Sequence, residues 1–410
     1  MKHRVVITGM GVVSPIGVTI RSFQEAMFAG KSGVGPIQLF DPGEFPCRIA
    51  AEVKDLVCTE FRDRRIGFAM EAAEQAIQDA GLADSAVLRS AGLSLGIGLE
   101  VLDLQDLLTW SRGANAQASR WHEKRLTFLQ TPSDLCAHLI SHRYGFEVPP
   151  QVHVSACAAG TDAIGAAFQE IRSGRRKVML AGGTDSMINP LGVGGFCKLR
   201  ALSTRNECPT QASRPFDRDR DGFVLGEGAG LLILENRETA TARQAHIHAE
   251  IAGYGNSMDA YGISEPHPEG RGALQAMTRA LSDAGICPEQ IDAINAHGSS
   301  TPKNDVMETI AIRKLLGDRA GSVPVVSTKS MIGHLIAAAG AVEVIAATLC
   351  LKTGHVHPTL NLTVPDPDCD LDYAPGSTRV HPQRYSLSNS FAFGGQNAAL
   401  VLRRKDVTDS

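Results

Sequence analysis

The stretch AMEAAEQAIQDAGL, from Ala69 to Leu82, recurs along the chain as ALQAMTRALSDAGI, from Ala273 to Ile286. Six of the fourteen positions are identical, at an offset of 204 residues, which is about half of the 410-residue chain. Alanines at helical spacing followed by Gly predict a helix in each copy, with the glycine just after its end. Because Ala-rich helices resemble one another, this match alone does not establish a repeat.

Three further matches follow in the same order. The segment SLGIG near Ser94 falls opposite INAHG near Ile294, and VHVSACAAG falls opposite VPVVSTKSMIGH in its pattern of strand then turn. Finally, GAGLLILE falls opposite QNAALVLR at the end of each series. Four matches in order predict two duplicated α/β halves, residues 1–245 and 246–410, that share a packed interface. The first half is longer, mainly through an insertion at Glu100–Thr131.

Short β-branched runs alternate with Ala-rich helical runs. Continuous apolar strands between helices predict a mostly parallel sheet that is covered on both faces. The clearest strands and helices in the first half are Val5–Thr8, Ile66–Ala80, Val152–Ser155, Ala158–Ser173, Val178–Leu180 and Leu231–Leu234.

Composition and charge exclude several classes of protein. The 40 Lys and Arg against 44 Asp and Glu give a net charge of −4, which argues against nucleic-acid binding. A 43% apolar content excludes wholesale disorder. Nine scattered cysteines without a CxxC pair indicate a reducing cytoplasm. The apolar run Leu335–Leu351 contains Glu343, so we expect a buried core helix, with no membrane span and no signal peptide.

Cys157 is a candidate nucleophile. In HVSACAAGTDAIG it lies where an apolar strand is expected to end and a helix to begin, among small residues that leave room for a substrate. A helix N-terminus favours an anion and should lower the pKa of the thiol. The alternative is an inert core cysteine, the role of most buried cysteines. On local context alone both interpretations stay open.

Two histidines of the second half lie at similar strand-to-helix turns. His297 is in INAHGSSTPKND, and His334 is in VVSTKSMIGHLIAAAGAVE, between Lys329 and Glu343. A His at the carboxyl end of a strand is where α/β proteins form their sites. A single histidine would more often be structural, but two of them, together with Cys157 at the equivalent turn of the first half, favour a catalytic interpretation.

A fourth segment, SNSFAFGGQN at Ser388–Asn397, carries Gly394 and Gly395 directly after Phe393. Such a loop can direct backbone N–H groups at a ligand oxygen, as an oxyanion hole requires, although a plain turn between two strands has the same pattern. Other patterns do not indicate a cofactor or metal site. Gly9-Met10-Gly11 lacks the rest of a dinucleotide-binding motif, and the sequence contains no P-loop, no HExxH and no metal-ligand cluster.

Together these segments resemble the β-ketoacyl-[acyl carrier protein] synthases, nearest to type II. The resemblance covers nearly the whole chain and rests on VITGMGVVSPIG, SACAAG, the long central segment ALSTRNECPTQASRPFDRDRDGFVLGEGAGLLILE, NAHGSSTPKND, STKSMIGHLIAAAGAVE and NSFAFGGQN. Each motif is moderately specific, and their order makes the set highly specific. The resemblance implies the thiolase-like α/β fold, in which two duplicated halves form five α-β-α-β-α layers.

The resemblance also implies a decarboxylative condensation. Cys157 would take an acyl group from a carrier-protein thioester. His297 and His334 would stabilise the enolate that forms as malonyl-carrier protein loses carbon dioxide. The carbanion would attack the Cys157 thioester, with the oxyanion held by the backbone N–H groups of Cys157 and Phe393. Phe393 would also gate the acyl pocket.

Further site residues follow from the same resemblance. Lys329 and Glu343 would form a supporting ion pair beside His334. Ser299 and Thr301 would contact the pantetheine arm. The remaining expected substrate contacts are Phe391 and Gly394.

No cofactor is expected, because 4′-phosphopantetheine arrives on the carrier protein, and no metal is required. Some relatives hold a monovalent cation at residues that match Asn295, Glu343, Ser388 and Asn389. The implied partners are an acyl carrier protein and a second copy of the chain in a homodimer, or a related subunit in a heterodimer. Basic residues expected to receive the acidic carrier are Arg62, Arg64, Arg65, Lys124, Arg125 and Arg205.

Several departures limit what the resemblance implies. Ala392 and Gln396 stand where relatives usually have Gly and Thr, and Glu100–Thr131 matches poorly. The acyl chain, and the choice between fatty-acid and polyketide or polyene synthesis, therefore stay open. A catalytically silent partner subunit of the chain-length-factor type is the alternative, disfavoured because the Cys and both His are present. A thiolase is disfavoured because the Gly-rich loop has no second Cys.

Overall fold

A computed structural model describes residues 2–407 except for 57, 59, 62, 84–85, 100 and 103–129. Its strands are β1 (Val5–Val13), β2 (Gly35–Pro36), β3 (Ile49–Ala50), β4 (Gly92–Ile97), β5 (Val101–Leu102), β6 (Gln130–Thr131), β7 (Gln151–His153), β8 (Val178–Ser186), β9 (Glu227–Asn236), β10 (Ala249–Met258), β11 (Ala293–Asn295), β12 (Val325–Val326), β13 (His355–Val356), β14 (Arg379–Val380), β15 (Tyr385–Phe391) and β16 (Gln396–Arg403).

The α-helices in the described part of the chain include both copies of the repeated segment. They are α1 (Ile20–Phe28), α2 (Arg64–Asp79), α3 (Val87–Ser90), α4 (Leu135–Tyr144), α5 (Ala159–Arg172), α6 (Pro190–Lys198), α7 (Arg237–Ala242), α8 (Arg271–Ala284), α9 (Pro302–Leu316), α10 (Lys329–Ile332) and α11 (Ala339–Thr353).

The main sheet has ten strands in the order β12-β11-β15-β16-β10-β1-β9-β8-β4-β7. Strands β1 and β10 pair antiparallel at the centre, so each half of the chain contributes five strands. From the centre outward the first half runs β1-β9-β8-β4-β7 and the second runs β10-β16-β15-β11-β12. The two orders are equivalent, element for element, which confirms the predicted duplication. The expected boundary at residue 245 lies between α7 and β10 and stays a prediction.

Helices cover both halves of the sheet. Helices α2 and α4 pack on the outer face of the first five strands, and α8 and α9 occupy the matching position in the second half. Helices α5 and α11 contact each other and both groups of strands, and they are buried in the largest apolar cluster. Each five-stranded half of the continuous sheet therefore forms one layer, and the order helix, half-sheet, helix, half-sheet, helix is the expected five-layered thiolase-like arrangement.

The prediction of a mostly parallel sheet was wrong. Strand β4 pairs parallel with β7 and β8, and β11 pairs parallel with β12 and β15, but every other neighbouring pair in the main sheet is antiparallel. Antiparallel strands such as β9 are buried over their whole length because helices cover both faces. A continuous apolar run in the sequence therefore indicates that a strand is buried on both faces, but it does not indicate whether the strand is parallel or antiparallel.

The strand-to-helix turns of the two halves share an unusual backbone. Ala156 and Ile336 have φ angles of +49° and +48°, values that residues other than Gly and Asn rarely adopt. Each begins a 3₁₀ turn, Ala156–Ala158 or Ile336–Ala338, that runs directly into α5 or α11. At this register the counterpart of Cys157 is Ala337, so the cysteine is present in one half only, and His334 lies two residues before the start of the second 3₁₀ turn.

The long apolar segment of the second half lies inside the protein. Ile336–Thr353 is long and apolar enough to cross a membrane, but 89% of it is buried within the structure. It includes α11, whose neighbours are strands and helices of both halves. The segment is therefore the central core helix that its sequence predicted.

Candidate active site

One cavity of 560 Å³ collects side chains from distant parts of the chain. Cys157 of the first half and His297 and His334 of the second line it together, although the Cys and the two His come from different turns. Its other lining residues from the predicted site are Ser299, Thr301, Phe391 and Phe393. The hydroxyls of Ser299 and Thr301 are 2.9 Å apart.

A partly buried hydrogen-bond cluster fixes the turn before Cys157. The Ser155 hydroxyl donates to the Asp162 carboxylate at 2.5 Å, and the Tyr254 hydroxyl donates to its other oxygen at 2.7 Å. Asp162 lies in the first turn of α5, and Tyr254 comes from β10 of the other half. The cluster thus holds the strained backbone at Ala156 against both halves. Sequence reasoning missed it, because no single motif contains its members.

The Cys157 side chain is only 5% exposed, and burial dominates the pKa of its thiol. Burial raises this pKa, while the positive charge of Lys329 and the backbone N–H groups of Phe393 and Cys157 lower it. The net direction is upward, so the predicted lowering of the pKa was wrong. The two N–H groups therefore lie close enough to the Cys157 sulfur to stabilise negative charge there, and their role as an oxyanion hole stays a prediction.

His334 has a defined tautomer. Its Nδ1 accepts a hydrogen bond from the backbone N–H of Ile336 at 3.0 Å, so the proton of the neutral ring is on Nε2. Burial first, and then the charge of Lys329, lower the pKa of His334 well below its usual value. The ring is therefore neutral at pH 7, with Nε2–H as its hydrogen-bond donor. Phe223 packs edge-on against it, with 5.2 Å between ring centroids.

His297 lies beside His334, with 5.2 Å between the ring centroids. Burial, Lys329 and His334 lower the pKa of His297 well below its usual value, so this ring is neutral as well. The Glu308 carboxylate accepts the backbone N–H groups of His297 and Gly298, each at 2.8 Å, and thereby fixes the turn. Sequence analysis missed Glu308, since a lone Glu inside a helix gives no sign of burial.

Lys329 and Glu343 form the predicted ion pair behind the cavity wall. Their side chains are 1% and 0% exposed, and the ammonium contacts one carboxylate oxygen directly. Burial raises the pKa of Glu343 to about 7 against the opposing effect of Lys329. Neither residue is among those that line the cavity, but the positive charge of Lys329 lowers the pKa values of Cys157 and of both histidines.

In the Gly-rich loop Phe393 lines the cavity, whereas Gly394 and Gly395 form backbone hydrogen bonds to the segment that follows β10. The N–H of Gly394 donates to the Ile263 carbonyl at 2.6 Å, and the Gly395 carbonyl accepts from the Asp259 N–H at 2.8 Å. Phe391 lines the cavity as expected, 6.1 Å from the His297 ring centroid. Gly394 is not among the residues that line the cavity, and its substrate contact stays a prediction.

Four buried oxygen-bearing side chains lie near this site without a full set of partners. In the described part of the chain no hydrogen bond reaches Asn295 Oδ1, Glu343 Oε2, Ser388 Oγ or Asn389 Oδ1. Hard oxygen ligands of this kind suit a monovalent cation, and a carboxylate supplies a compensating charge. The unpartnered oxygens belong to the four residues that the family resemblance indicated.

The arginines expected to bind the carrier protein differ in their exposure and in their ion-pair partners. Arg65 is 1% exposed and pairs with Asp63, so its assignment to a docking surface was wrong. Arg64 is 22% exposed and forms an ion pair with the fully buried Glu227, at 2.6 Å. Arg205 is 36% exposed and donates to the Asp219 carbonyl. Arg62, Lys124, Arg125 and most of the Glu100–Thr131 insertion lie outside the described residues.

Comparison with known proteins agrees with this geometry. Residues 2–240 match the beta-ketoacyl synthase N-terminal domain, and residues 248–363 match its C-terminal domain. A 3-oxoacyl-[acyl-carrier-protein] synthase 2 from Synechocystis is 43% identical over 98% of this chain and 98% of its own length.

Two solved structures are similar over 98% of this chain and all of theirs. One is a beta-ketoacyl synthase from Burkholderia phymatum, with a TM-score of 0.88 and 35% identity. The other is a type II polyketide ketosynthase solved with its acyl-carrier protein and bound to the hexaketide, with a TM-score of 0.86 and 36% identity.

Proposed function

The chain belongs to the β-ketoacyl synthase family, and on that premise we propose that it is a β-ketoacyl-[acyl carrier protein] synthase with Cys157 as its nucleophile. One observation carries the assignment of roles. A single cavity brings together a cysteine at a helix start, two neutral histidines and a loop with a backbone N–H near the thiol. This set suits an acyl transfer followed by formation of an enolate.

The first step moves the acyl group. The Cys157 sulfur attacks the thioester carbonyl of an acyl-carrier protein, and the N–H groups of Cys157 and Phe393 stabilise the oxyanion. When the tetrahedral intermediate collapses, the carbon–sulfur bond to the carrier breaks, and the carrier thiol leaves with the proton that Cys157 gave up. Because burial raises the pKa of Cys157, the thiol keeps this proton until substrate is bound.

The second step makes the carbon–carbon bond. Malonyl-carrier protein loses carbon dioxide, and the electron pair of the broken bond forms an enolate. Its oxygen accepts hydrogen bonds from Nε2–H of His334 and from the N–H of His297, since each neutral ring keeps one N–H donor. The enolate carbon attacks the acyl-Cys157 carbonyl and expels the cysteine thiolate, which takes a proton from solvent. The product is 3-oxoacyl-carrier protein.

Other residues support these steps. Ser299 and Thr301 contact the pantetheine arm, and Lys329 with Glu343 sets the electrostatic potential behind the reacting groups. A monovalent cation at the four unpartnered oxygens would neutralise charge there and hold the segments that carry the histidines. No other cofactor enters, because phosphopantetheine arrives on the carrier.

The proposal includes a homodimer in the cytoplasm. Strand β7, directly before the nucleophile turn, is one of the two edge strands of the main sheet in the described part of the chain, and Val154 after it is 54% exposed. An unpaired edge next to an exposed apolar side chain suits pairing with the same strand of a second copy. Light scattering at micromolar concentration tests this, and a monomer would contradict it.

Three variants separate the proposed steps. Cys157→Ala should abolish condensation but retain malonyl decarboxylation, because both histidines remain. His334→Ala should lose both activities. Cys350→Ala, which removes a buried thiol from α11, is the matched control and should keep both. Condensation by Cys157→Ala would refute the nucleophile assignment. Absence of condensation in the unmodified protein would favour a silent partner subunit.

A further inference from the structure

We propose that Lys303 binds the phosphate of the phosphopantetheine arm at the mouth of the cavity. Until the phosphate binds, Lys303 forms an ion pair with Glu265. The inference rests on the proposed function, because it assumes that the substrate reaches Cys157 on such an arm. It adds a binding site for one anionic group, and it concerns residues to which no role has been assigned above.

The position of Lys303 follows from burial. Both Lys303 and Glu265 line the same cavity as Cys157 and the histidines. Cys157 is 5% exposed, whereas the side chains of Lys303 and Glu265 are 66% and 52% exposed. Cys157 therefore marks the closed end of the cavity and the ion pair marks its solvent end. An arm attached to a carrier protein enters from the solvent end and leaves its phosphate there.

The ion pair joins two walls of the mouth. Lys303 lies in the first turn of α9, two residues after Thr301, and its ammonium contacts the Glu265 carboxylate directly. Glu265 belongs to the segment between β10 and α8, whose Ile263 carbonyl accepts the N–H of Gly394 in the Gly-rich loop. When the Lys303–Glu265 ion pair breaks, the Lys303 ammonium becomes available to another anion. The contact between α9 and the β10–α8 segment across the entrance is then lost as well.

The chemistry favours exchange of partners. An exposed ion pair between two flexible side chains contributes little to stability, so a second anion can displace Glu265 at small cost. Lysine binds phosphate as a compact point charge with three donors. Arg200 is exposed and lines the same cavity, which adds a second positive charge beside the mouth. A neutral arm without phosphate would gain nothing from either residue.

The test compares substrates that differ in the phosphate alone. Condensation is measured with acyl-pantetheine, acyl-phosphopantetheine and acyl-carrier protein as the acyl donor. Lys303→Met should raise KM for the two phosphate-bearing donors about fivefold to tenfold, which corresponds to the loss of about 1–1.4 kcal/mol, the net contribution of one hydrogen bond at a solvent-exposed site. KM for acyl-pantetheine should not change. Glu265→Gln should lower KM for the phosphate-bearing donors and leave acyl-pantetheine unaffected.

Lys31→Met is the matched control, since Lys31 is exposed and is not part of the cavity wall. An equal rise of KM for all donors, or no rise for any, would overturn the proposal. So would a rise for acyl-carrier protein without one for acyl-phosphopantetheine, because that result would indicate contact with the carrier's surface.

A calorimetric titration with phosphopantetheine and with pantetheine keeps this inference separate from the proposed function. Tighter binding of phosphopantetheine that Lys303→Met abolishes would support the site even if no condensation were observed. Equal affinity of the unmodified protein for the two compounds would overturn the site even if condensation were normal.

Discussion

Replacing Lys329 with Met should destabilise the protein by about 3–5 kcal/mol, because the substitution leaves the Glu343 carboxylate buried without its counter-charge. The two side chains are 1% and 0% exposed, so solvent cannot take over the role of the lysine. Taking about 2.1 cal/mol/K of unfolding entropy per residue for a chain of 410 residues, the expected fall in Tm is about 4–6 °C.

The effect should depend on pH in a defined direction. Burial raises the pKa of Glu343 from 4.5 to about 7, so the folded state binds this proton more tightly than the unfolded state does. Stability associated with Glu343 is therefore greatest below pH 4.5 and falls as pH rises from 4.5 to 7. Without Lys329 the pKa rises further, and the fall should continue above pH 7. Glu343→Gln should remove this dependence.

Denaturant unfolding at pH 5, 6, 7 and 8 measures the effect, with Lys31→Met as a control for loss of an exposed lysine. A second readout is alkylation of Cys157, which should slow in Lys329→Met because the lysine lowers the pKa of the thiol. The double variant Lys329→Met with Glu343→Gln should recover much of the lost stability. Equal losses at pH 5 and pH 8 would refute the reasoning, since they would indicate lost packing instead of an unpaired charge.

Three further substitutions test other parts of the site. Tyr254→Phe removes the hydroxyl that donates to Asp162 at 2.7 Å, and should lower stability by about 1–3 kcal/mol in a thermal melt. Glu308→Gln leaves one acceptor for two backbone N–H groups, and should reduce kcat about tenfold, or about 1.4 kcal/mol, without loss of the folded state in circular dichroism. Arg205→Glu should raise KM for carrier-bound substrate and leave KM for pantetheine thioesters unchanged, and the difference between the two KM changes should shrink in high salt. An equal loss of activity on both substrates would exclude docking at Arg205.

The sequence predicted those features that are local or repeated. The match between Ala69–Leu82 and Ala273–Ile286 identified equivalent helices, and the five-strand order of each half follows the same repeat. The motifs around Cys157, His297 and His334 predicted residues that the fold gathers into one cavity. Each of these signals lies within a short segment, so one sequence is enough to find it.

What the sequence did not predict depends on distant contacts. Strand direction failed because apolar runs look alike in parallel and antiparallel strands. The pKa of Cys157 was expected to fall from its place at a helix start, but burial by the surrounding chain dominates. Arg65 was assigned to the docking surface because it lies in a cluster with Arg62 and Arg64 at a helix start and because relatives carry basic residues there, whereas its ion pair with Asp63 allows it to be buried. Glu308 was missed because its role depends on the turn at His297.

The most direct test of the account is the identity of the cysteine that carries the acyl group. The protein is incubated with a panel of acyl-carrier proteins of different chain lengths, digested without reduction, and mapped by mass spectrometry. We expect an acyl adduct on Cys157 alone, which malonyl-carrier protein removes as 3-oxoacyl product, and the chain lengths accepted would indicate the pathway. An adduct on Cys197 or Cys350 that turns over while Cys157 stays free would contradict this expectation.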